Sequence, residues 1–282
     1  MIEPPFGTHA LPPALERLRR FGAGLPRGAL TKRLTSVIRR VCVAGRREPF
    51  DLEPFPGQRA RLYPSDNLSE KRVFSAPQFW DWAEREAMAR AMQAAPRPFC
   101  FVDAGANAGL YTLAVLSLGP AKVLAIEPDA ENLRRLGVNL EASGAESVSV
   151  APVALSDRSG TARISGAGNR GERSLGEDGA EVETVPLLTV LQRAGWERID
   201  ALKLDIEGWE EPVLQAFLRD APVELRPRLV ILEAQRGAKT PALELLVQYG
   251  YQIAEHTRMN AILTAPSEAA AGTDLDRVDG KT

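Results

Sequence analysis

From Phe99 onward, short apolar runs alternate with longer segments whose apolar residues recur at helical spacing. The runs predict buried strands at Phe99–Asp103, Lys122–Glu127, Val148–Leu155, Asp200–Asp205 and Leu229–Glu233. Between them the periodicity predicts helices at Asn107–Leu118, Asp129–Ser143, Leu188–Ala194, Glu210–Leu218 and Thr240–Tyr249. Asp129 and Thr240 are residue types that cap helix starts, Pro241 suits a first turn, and Gly144 suits a stop. Gln252–Glu255 and Ala261–Leu263 read as a closing antiparallel pair. Such strand–helix alternation predicts an α/β fold, a parallel sheet covered by helices on both faces. One stretch interrupts it. Gly160–Gly179 is polar and glycine-rich and reads as mobile loop, flanked by strand-like Thr161–Ser165 and Val182–Pro186.

Before Phe99 the pattern is less regular. Phe50–Tyr63 is broken by Pro54, Pro56 and Gly57 and predicts a hairpin. Ser75–Gln93 predicts a single helix, stopped by Pro96 and Pro98. Residues 1–48 form a basic helical extension interrupted by proline and glycine. Within it, Thr31–Ala44 sets Leu34, Val37, Ile38 and Val41 at helical spacing, with Arg33, Arg39 and Arg40 nearby. An amphipathic basic helix of this kind either packs its apolar side on the domain or attaches to an acidic membrane surface or partner. Residues 266–282 are polar and predict a disordered tail.

Composition narrows the function classes. The 282 residues are 44% hydrophobic and 26% charged, the balance of an ordinary globular chain. No apolar run reaches the roughly 18 residues of a membrane span, and the start lacks the order of a secretory signal. The net charge of -2 hides an asymmetry, because residues 1–50 carry ten Lys/Arg against three Asp/Glu. The acidic remainder would repel a polyanion, so nucleic acid is not an expected partner. Cys42 and Cys100 follow no metal spacing and suit small buried hydrophobes in a reducing, cytoplasmic setting.

In an open parallel sheet, ligands gather beyond the carboxyl ends of the strands. The first such place is Asp103-Ala-Gly-Ala-Asn-Ala-Gly109. Gly105 and Gly109 permit a sharp turn and close approach, and a helix start follows with free N–H groups. A dinucleotide fingerprint would need glycine where Asn107 and Leu110 stand, and no Gly-Lys-Ser/Thr of a phosphate loop follows. Asp103 favours a ligand with an amino group over a pyrophosphate. Glu127 ends the next strand, where a carboxylate can accept two hydrogen bonds from a ribose diol. Together these describe adenosine without pyrophosphate and with an amino acid end, which S-adenosyl-L-methionine satisfies.

The segments FVDAGANAGLYTL, AIEPDAENLRRLGVNL, VAPVALSD, IDALKLDIEGWEEPVL and LVILEA resemble, in order and spacing, the FkbM-type methyltransferases. The resemblance runs from about Phe50 to Leu263, and its most specific pieces are Asp103–Gly109 and Lys203–Glu210. It departs at Leu188-Thr189 and Ala216-Phe217, outside the expected cofactor pocket. The resemblance implies a class I, Rossmann-like methyltransferase sheet, mostly parallel with an antiparallel closing strand. Residues 49–98 would then form a hairpin and helix ahead of a cofactor-binding core at 99–265. By the same resemblance, Asp103, Gly105, Asn107 and Gly109 would line the methionine part of S-adenosyl-L-methionine. Glu127, with Pro128 beside it, would hold the ribose, and Ala154, Leu155 and Ser156 would border the adenine. The implied reaction is O-methylation of a hydroxyl on a sugar, glycan or secondary metabolite; the alternative is a non-catalytic member that binds cofactor or partner.

The run Lys203-Leu-Asp-Ile-Glu-Gly carries the remaining chemistry. Lys203 and Asp205 alternate on a strand and so face the same side. Asp205 at the strand tip and Glu207 just beyond are the expected catalytic residues, as base or acceptor-positioning groups, unless they serve as structural partners of Lys203. Asp205, Glu207 and Glu233 end adjacent strands and could ligate Mg²⁺. Carboxylate clusters at strand tips are common without metal, so the sequence assigns none. Trp82 and Trp209 are candidate acceptor walls, His256 a secondary candidate base, and residues 160–179 a candidate lid.

Overall fold

The computed structural model describes residues 3–165, 174–176 and 179–266. The chain begins with α1 (Pro13–Ala23), α2 (Ala29–Val43), and the hairpin β1 (Phe50–Phe55) and β2 (Gln58–Leu62). α3 (Leu68–Ser75) and α4 (Trp82–Ala94) lead to β3 (Phe99–Ala104), α5 (Leu110–Leu116), β4 (Ala121–Ile126) and α6 (Ala130–Ser143). There follow β5 (Val148–Ala151), β6 (Ala154–Leu155), β7 (Gly160–Ser165), β8 (Ser174–Gly176) and β9 (Ala180–Val185). The chain continues through α7 (Leu187–Arg193), β10 (Ala201–Leu204), α8 (Glu210–Asp220) and β11 (Leu229–Glu233). α9 (Pro241–Gln248), β12 (Gln252–His256) and β13 (Asn260–Thr264) complete it.

Among the described residues the main sheet has the strand order β12-β13-β11-β10-β3-β4-β5. β5, β4, β3, β10 and β11 pair in parallel, and β13 lies antiparallel between β11 and β12. This is the expected Rossmann-like α/β sheet, mostly parallel with an antiparallel closing strand. The chain leaves β3 in one direction and returns on its other side at β10, so the crevice for a ligand opens between those two strands. Side chains alternate across the sheet. Val102, Leu202 and Leu204 meet Val213 and Phe217 of α8 on one face, while Phe99, Phe101 and Ala201 meet Met88 of α4 and Leu113 of α5 on the other.

Several expectations are refined or corrected. Of the two readings of residues 1–48 the structure shows the packed one: they share a core with the hairpin and α3, and buried Arg19 donates to the Phe74 and Glu53 carbonyls at 3.2 and 3.4 Å. α1 was not foreseen, and α2 packs through Thr35, Ile38 and Cys42 instead of the full apolar set. The small Thr35 and Cys42 side chains let α1 approach, which leaves Leu34, Val37 and Val41 exposed. The helix expected over Ser75–Gln93 starts late: only α4, from Trp82, fills that span, and an unforeseen helix, α3, ends where the expected one was to begin. Pro77 disfavours the α-region for Ala76, α3 stops at Ser75, and α4 begins only after Asp81, whose backbone is left-handed.

The strand expected over Val148–Leu155 breaks at Pro152, which has no N–H for a ladder. β5 stays in the main sheet while β6 pairs with β9 in a second sheet of order β6-β9-β7-β8. Part of the glycine-rich loop is therefore strand, since β7 runs antiparallel to β9 and to β8. The rest of that expected loop and lid, and the tail from residue 267, lie outside the described residues. Both cysteines are free; Cys42 is buried, but Cys100 is only half-buried. Among the described residues no helix is long and apolar enough to cross a membrane.

Candidate active site

A cavity of about 230 Å³ opens at the carboxyl ends of β3, β4, β10 and β11. Its floor is the turn after β3. Gly105 has φ +79°, and a Cβ there would stand 1.8 Å from the Asp205 carbonyl oxygen. Only glycine lets this turn touch the end of β10. Asn107 is also left-handed, at φ +52°. Its amide donates to Glu127 Oε2 at 2.8 Å, and its Oδ1 accepts from Ala108 N at 2.7 Å and from Asn67 Nδ2 at 3.1 Å. With both Asn107 and Gly109 left-handed, the helix expected from Asn107 starts only at Leu110.

Glu127 lies at the wall with its other oxygen accepting from Asp129 N at 2.9 Å. Burial outweighs these hydrogen bonds and pushes its carboxyl up to about 7. Pro128, Ala154 and Leu155 also line the cavity. Three predicted residues do not. Asp103 is fully buried behind the turn, where its Oδ2 accepts from Thr112 N at 3.0 Å and Thr112 Oγ1 at 2.7 Å. It anchors the start of α5, and its Oδ1 has no partner among the described residues. A Cβ on Gly109 would stand 2.5 Å from Leu136 Cδ1, so this glycine serves the packing of the turn on α6. Ser156 turns away and donates to Asp157 Oδ1 at 3.0 Å.

Asp205 and Glu207 both reach the cavity, and Lys203 and Glu233 join them. The same-side placement of Lys203 and Asp205 is realised as an ion pair of 2.8 Å. Burial pushes the Asp205 carboxyl up, but the Lys203 charge and hydrogen bond win and hold it below the usual carboxylate range. Glu233 goes the other way. Burial, the Asp205 charge and a hydrogen bond shared with Asp205 push it up to about 8. The pair therefore carries one proton near neutral pH, on Glu233. One oxygen from each of Asp205, Glu207 and Glu233 lies within 4.8 Å of the others, close enough to hold an oxygen-ligated cation.

The last residue of the Lys203–Glu210 run organises this corner. Glu210 accepts from Ile206 N at 2.9 Å and from Gly208 N at 3.0 Å, which pins the turn that presents Asp205 and Glu207. Sequence reading missed this role, although a glutamate five residues past the strand-tip Asp205 is visible as a spacing. It also missed the roof. Asn67, Leu68 and Ser69 at the start of α3 cover the turn, and Asn67 Oδ1 caps α3 by accepting from Ser69 N and Glu70 N. The signal was Asn67-Leu-Ser-Glu70, a cap with glutamate three residues on. Tyr111 also lines the cavity and donates to Asp81 Oδ2 at 2.8 Å. Trp209 lines the same cavity, whereas Trp82 and His256 line a neighbouring one of about 840 Å³.

The family described as "Methyltransferase FkbM domain" matches residues 103–263. Among solved structures, the chain is similar to the precorrin-6y C5,15-methyltransferase of Geobacter metallireducens GS-15, with 16% identity, 65% of this chain and 87% of that one covered, and a TM-score of 0.42. It is similar to the METTL16 MTase domain at 13% identity, with 66% and 67% covered and a TM-score of 0.44. A SAM-dependent methyltransferase of Agrobacterium tumefaciens matches at 12% identity, with 78% and 71% covered and a TM-score of 0.43. No curated protein matches the chain.

Proposed function

The chain belongs to the FkbM methyltransferase family, and on that premise we propose that it transfers a methyl group from S-adenosyl-L-methionine to a hydroxyl of a small-molecule or glycan acceptor. The residues present fit that cofactor. The Gly105 turn leaves a cradle that any Cβ would fill. Glu127 offers carboxyl oxygens to the ribose diol, and Pro128, Ala154 and Leu155 supply apolar surface for the base. Asn107 belongs to the cradle, and Asp103 supports it from behind. When bound, the cofactor supplies an electrophilic methyl group on sulfur.

The chain's own residues then align a hydroxyl and take its proton. Lys203 keeps Asp205 ionised, a fixed negative charge that orients the acceptor hydroxyl. Glu233 is the group whose affinity for a proton suits a base near neutral pH. Glu207, at the tip of the same turn, bounds the acceptor side. The observation that carries this reading is the cluster of Asp205, Glu207 and Glu233, with Asp205 paired to Lys203, beside the Gly105 turn. Two free cysteines suit a reducing compartment, and we place the enzyme in the cytoplasm.

Single-turnover methyl transfer as a function of pH tests it. Transfer is expected to rise as pH passes through about 8, where Glu233 loses its proton. The rise is expected to vanish in Glu233→Gln, with cofactor affinity retained. Cofactor binding with no transfer to any hydroxyl acceptor would instead support a non-catalytic binding role.

A further inference from the structure

The neighbouring cavity adjoins the first, since Leu68, Arg72, Asp81 and Met259 line both. Six cationic side chains reach it from four separate segments: Lys32 and Arg39 on α2, Lys71 and Arg72 on α3, Arg236 after β11, and Arg258 between β12 and β13. The Arg236 amide donates to the Arg258 carbonyl at 3.2 Å, which ties the last two segments together. Among the described residues, none of the six pairs with a carboxylate within salt-bridge distance. The buried acids in the cavity accept hydrogen bonds from neutral groups, and Asp81 also feels the Arg72 charge. Asp81 accepts from the Tyr111 hydroxyl at 2.8 Å, and Glu84 accepts from Thr257 Oγ1 at 2.7 Å and Asn260 Nδ2 at 2.8 Å. Glu255 sits exposed at the rim.

Six cations gathered from four elements around one cavity outnumber its three acids, Asp81, Glu84 and Glu255, so they repel one another and favour an anion from outside. Burial and the Arg40 charge both push the half-buried Arg39 guanidinium down, as expected of a cation without a counter-ion. His256 adds a buried Nδ1 with no partner among the described residues. Phe79 and Trp82 give the cavity apolar walls of the kind that pack against a sugar ring. We propose that this cavity holds the phosphate or diphosphate of the acceptor, so that the methylated hydroxyl belongs to a phosphate-bearing sugar whose ring spans into the first cavity. Four of the six cations are arginines, whose planar forks match phosphate oxygens in pairs. The inference rests on the methyl-transfer reading, because it names the acceptor class of that same site.

The test is calorimetry on the full chain with two probes, inorganic pyrophosphate and S-adenosyl-L-methionine. Pyrophosphate is expected to bind at one site, more weakly as salt is raised. The double variant Arg39→Gln, Lys71→Gln is expected to weaken it by about tenfold or more, the scale of losing one good charged contact. Cofactor affinity is expected to stay unchanged in that variant, because neither residue lines the first cavity. No pyrophosphate binding, or equal binding by the variant, overturns the inference. Failure of the cofactor alone to bind would sink the methyl-transfer reading while leaving the anion site standing. Binding to vesicles rich in anionic lipid, with no response to pyrophosphate, would overturn it in favour of the exposed Leu34, Val37 and Val41 stripe on α2.

Discussion

At Gly105 two requirements coincide, a left-handed backbone at φ +79° and a contact that leaves a Cβ only 1.8 Å from the Asp205 carbonyl oxygen. Gly105→Ala therefore has to displace the end of β10, and with it Asp205. The expected cost is about 2 kcal/mol or more of stability in urea denaturation, together with loss of cofactor binding. An alanine variant with unchanged stability and affinity would remove the close approach from the account. Asp205→Asn keeps the shape but removes the charge that Lys203 holds, so the acceptor loses its orienting anion. Turnover is expected to fall by about 10²-fold or more, with cofactor affinity little changed. If instead an oxygen-bound cation organised Asp205, Glu207 and Glu233, a chelator would abolish transfer; activity is expected to survive chelation, measured in the same turnover assay.

The elements differ in how plainly the chain announces them. β3, β4, β10 and β11 are apolar runs buried on both faces, and such runs need no tertiary context to be recognised. Gly105, Asn107 and Glu127 were legible because a turn between strand and helix dictates residue types. Asp103 and Gly109 share the first turn and Ser156 follows β6, but what each one touches depends on α5, α6 and Asp157, which no spacing reveals. α3 was missed because its periodicity is short and its cap, Asn67, is polar surface chemistry rather than a hydrophobic pattern. α2 was found with the wrong face, since its packing is decided by the approach of α1. Asn67→Ala tests what α3 does. Losing the cap is expected to cost about 1 kcal/mol of stability. The 3.1 Å hydrogen bond to Asn107 goes with it, so cofactor affinity is expected to weaken as well. A stability loss with no change in affinity would reduce α3 to scaffold.

At the scale of the molecule, buried Glu70 and Glu127 and half-buried Glu233 hold protons more tightly than ordinary glutamates do. Glu70 and Glu127 are pushed up to about 7 and Glu233 to about 8, in each case first by burial. At these groups the folded chain thus binds more protons than the unfolded one between the ordinary glutamate value of about 4.5 and about 8, so they lower stability as pH rises across that window. Glu131 has the opposite sign: hydrogen bonds from Arg134 lead in lowering it to about 2, and its contribution is lost as pH falls from 4.5 toward that value. Thermal melting of the free chain is expected to give a higher Tm at pH 6 than at pH 9, and a Tm that climbs over that range would contradict the burial of these carboxyls. The central claim is that the cavity between β3 and β10 seats S-adenosyl-L-methionine, and calorimetry on the full chain tests it most directly. One-site micromolar binding of S-adenosyl-L-methionine and of its demethylated product is predicted, lost in Glu127→Lys and absent with NAD. Binding of NAD alone, or cofactor binding that Glu127→Lys leaves intact, would contradict it.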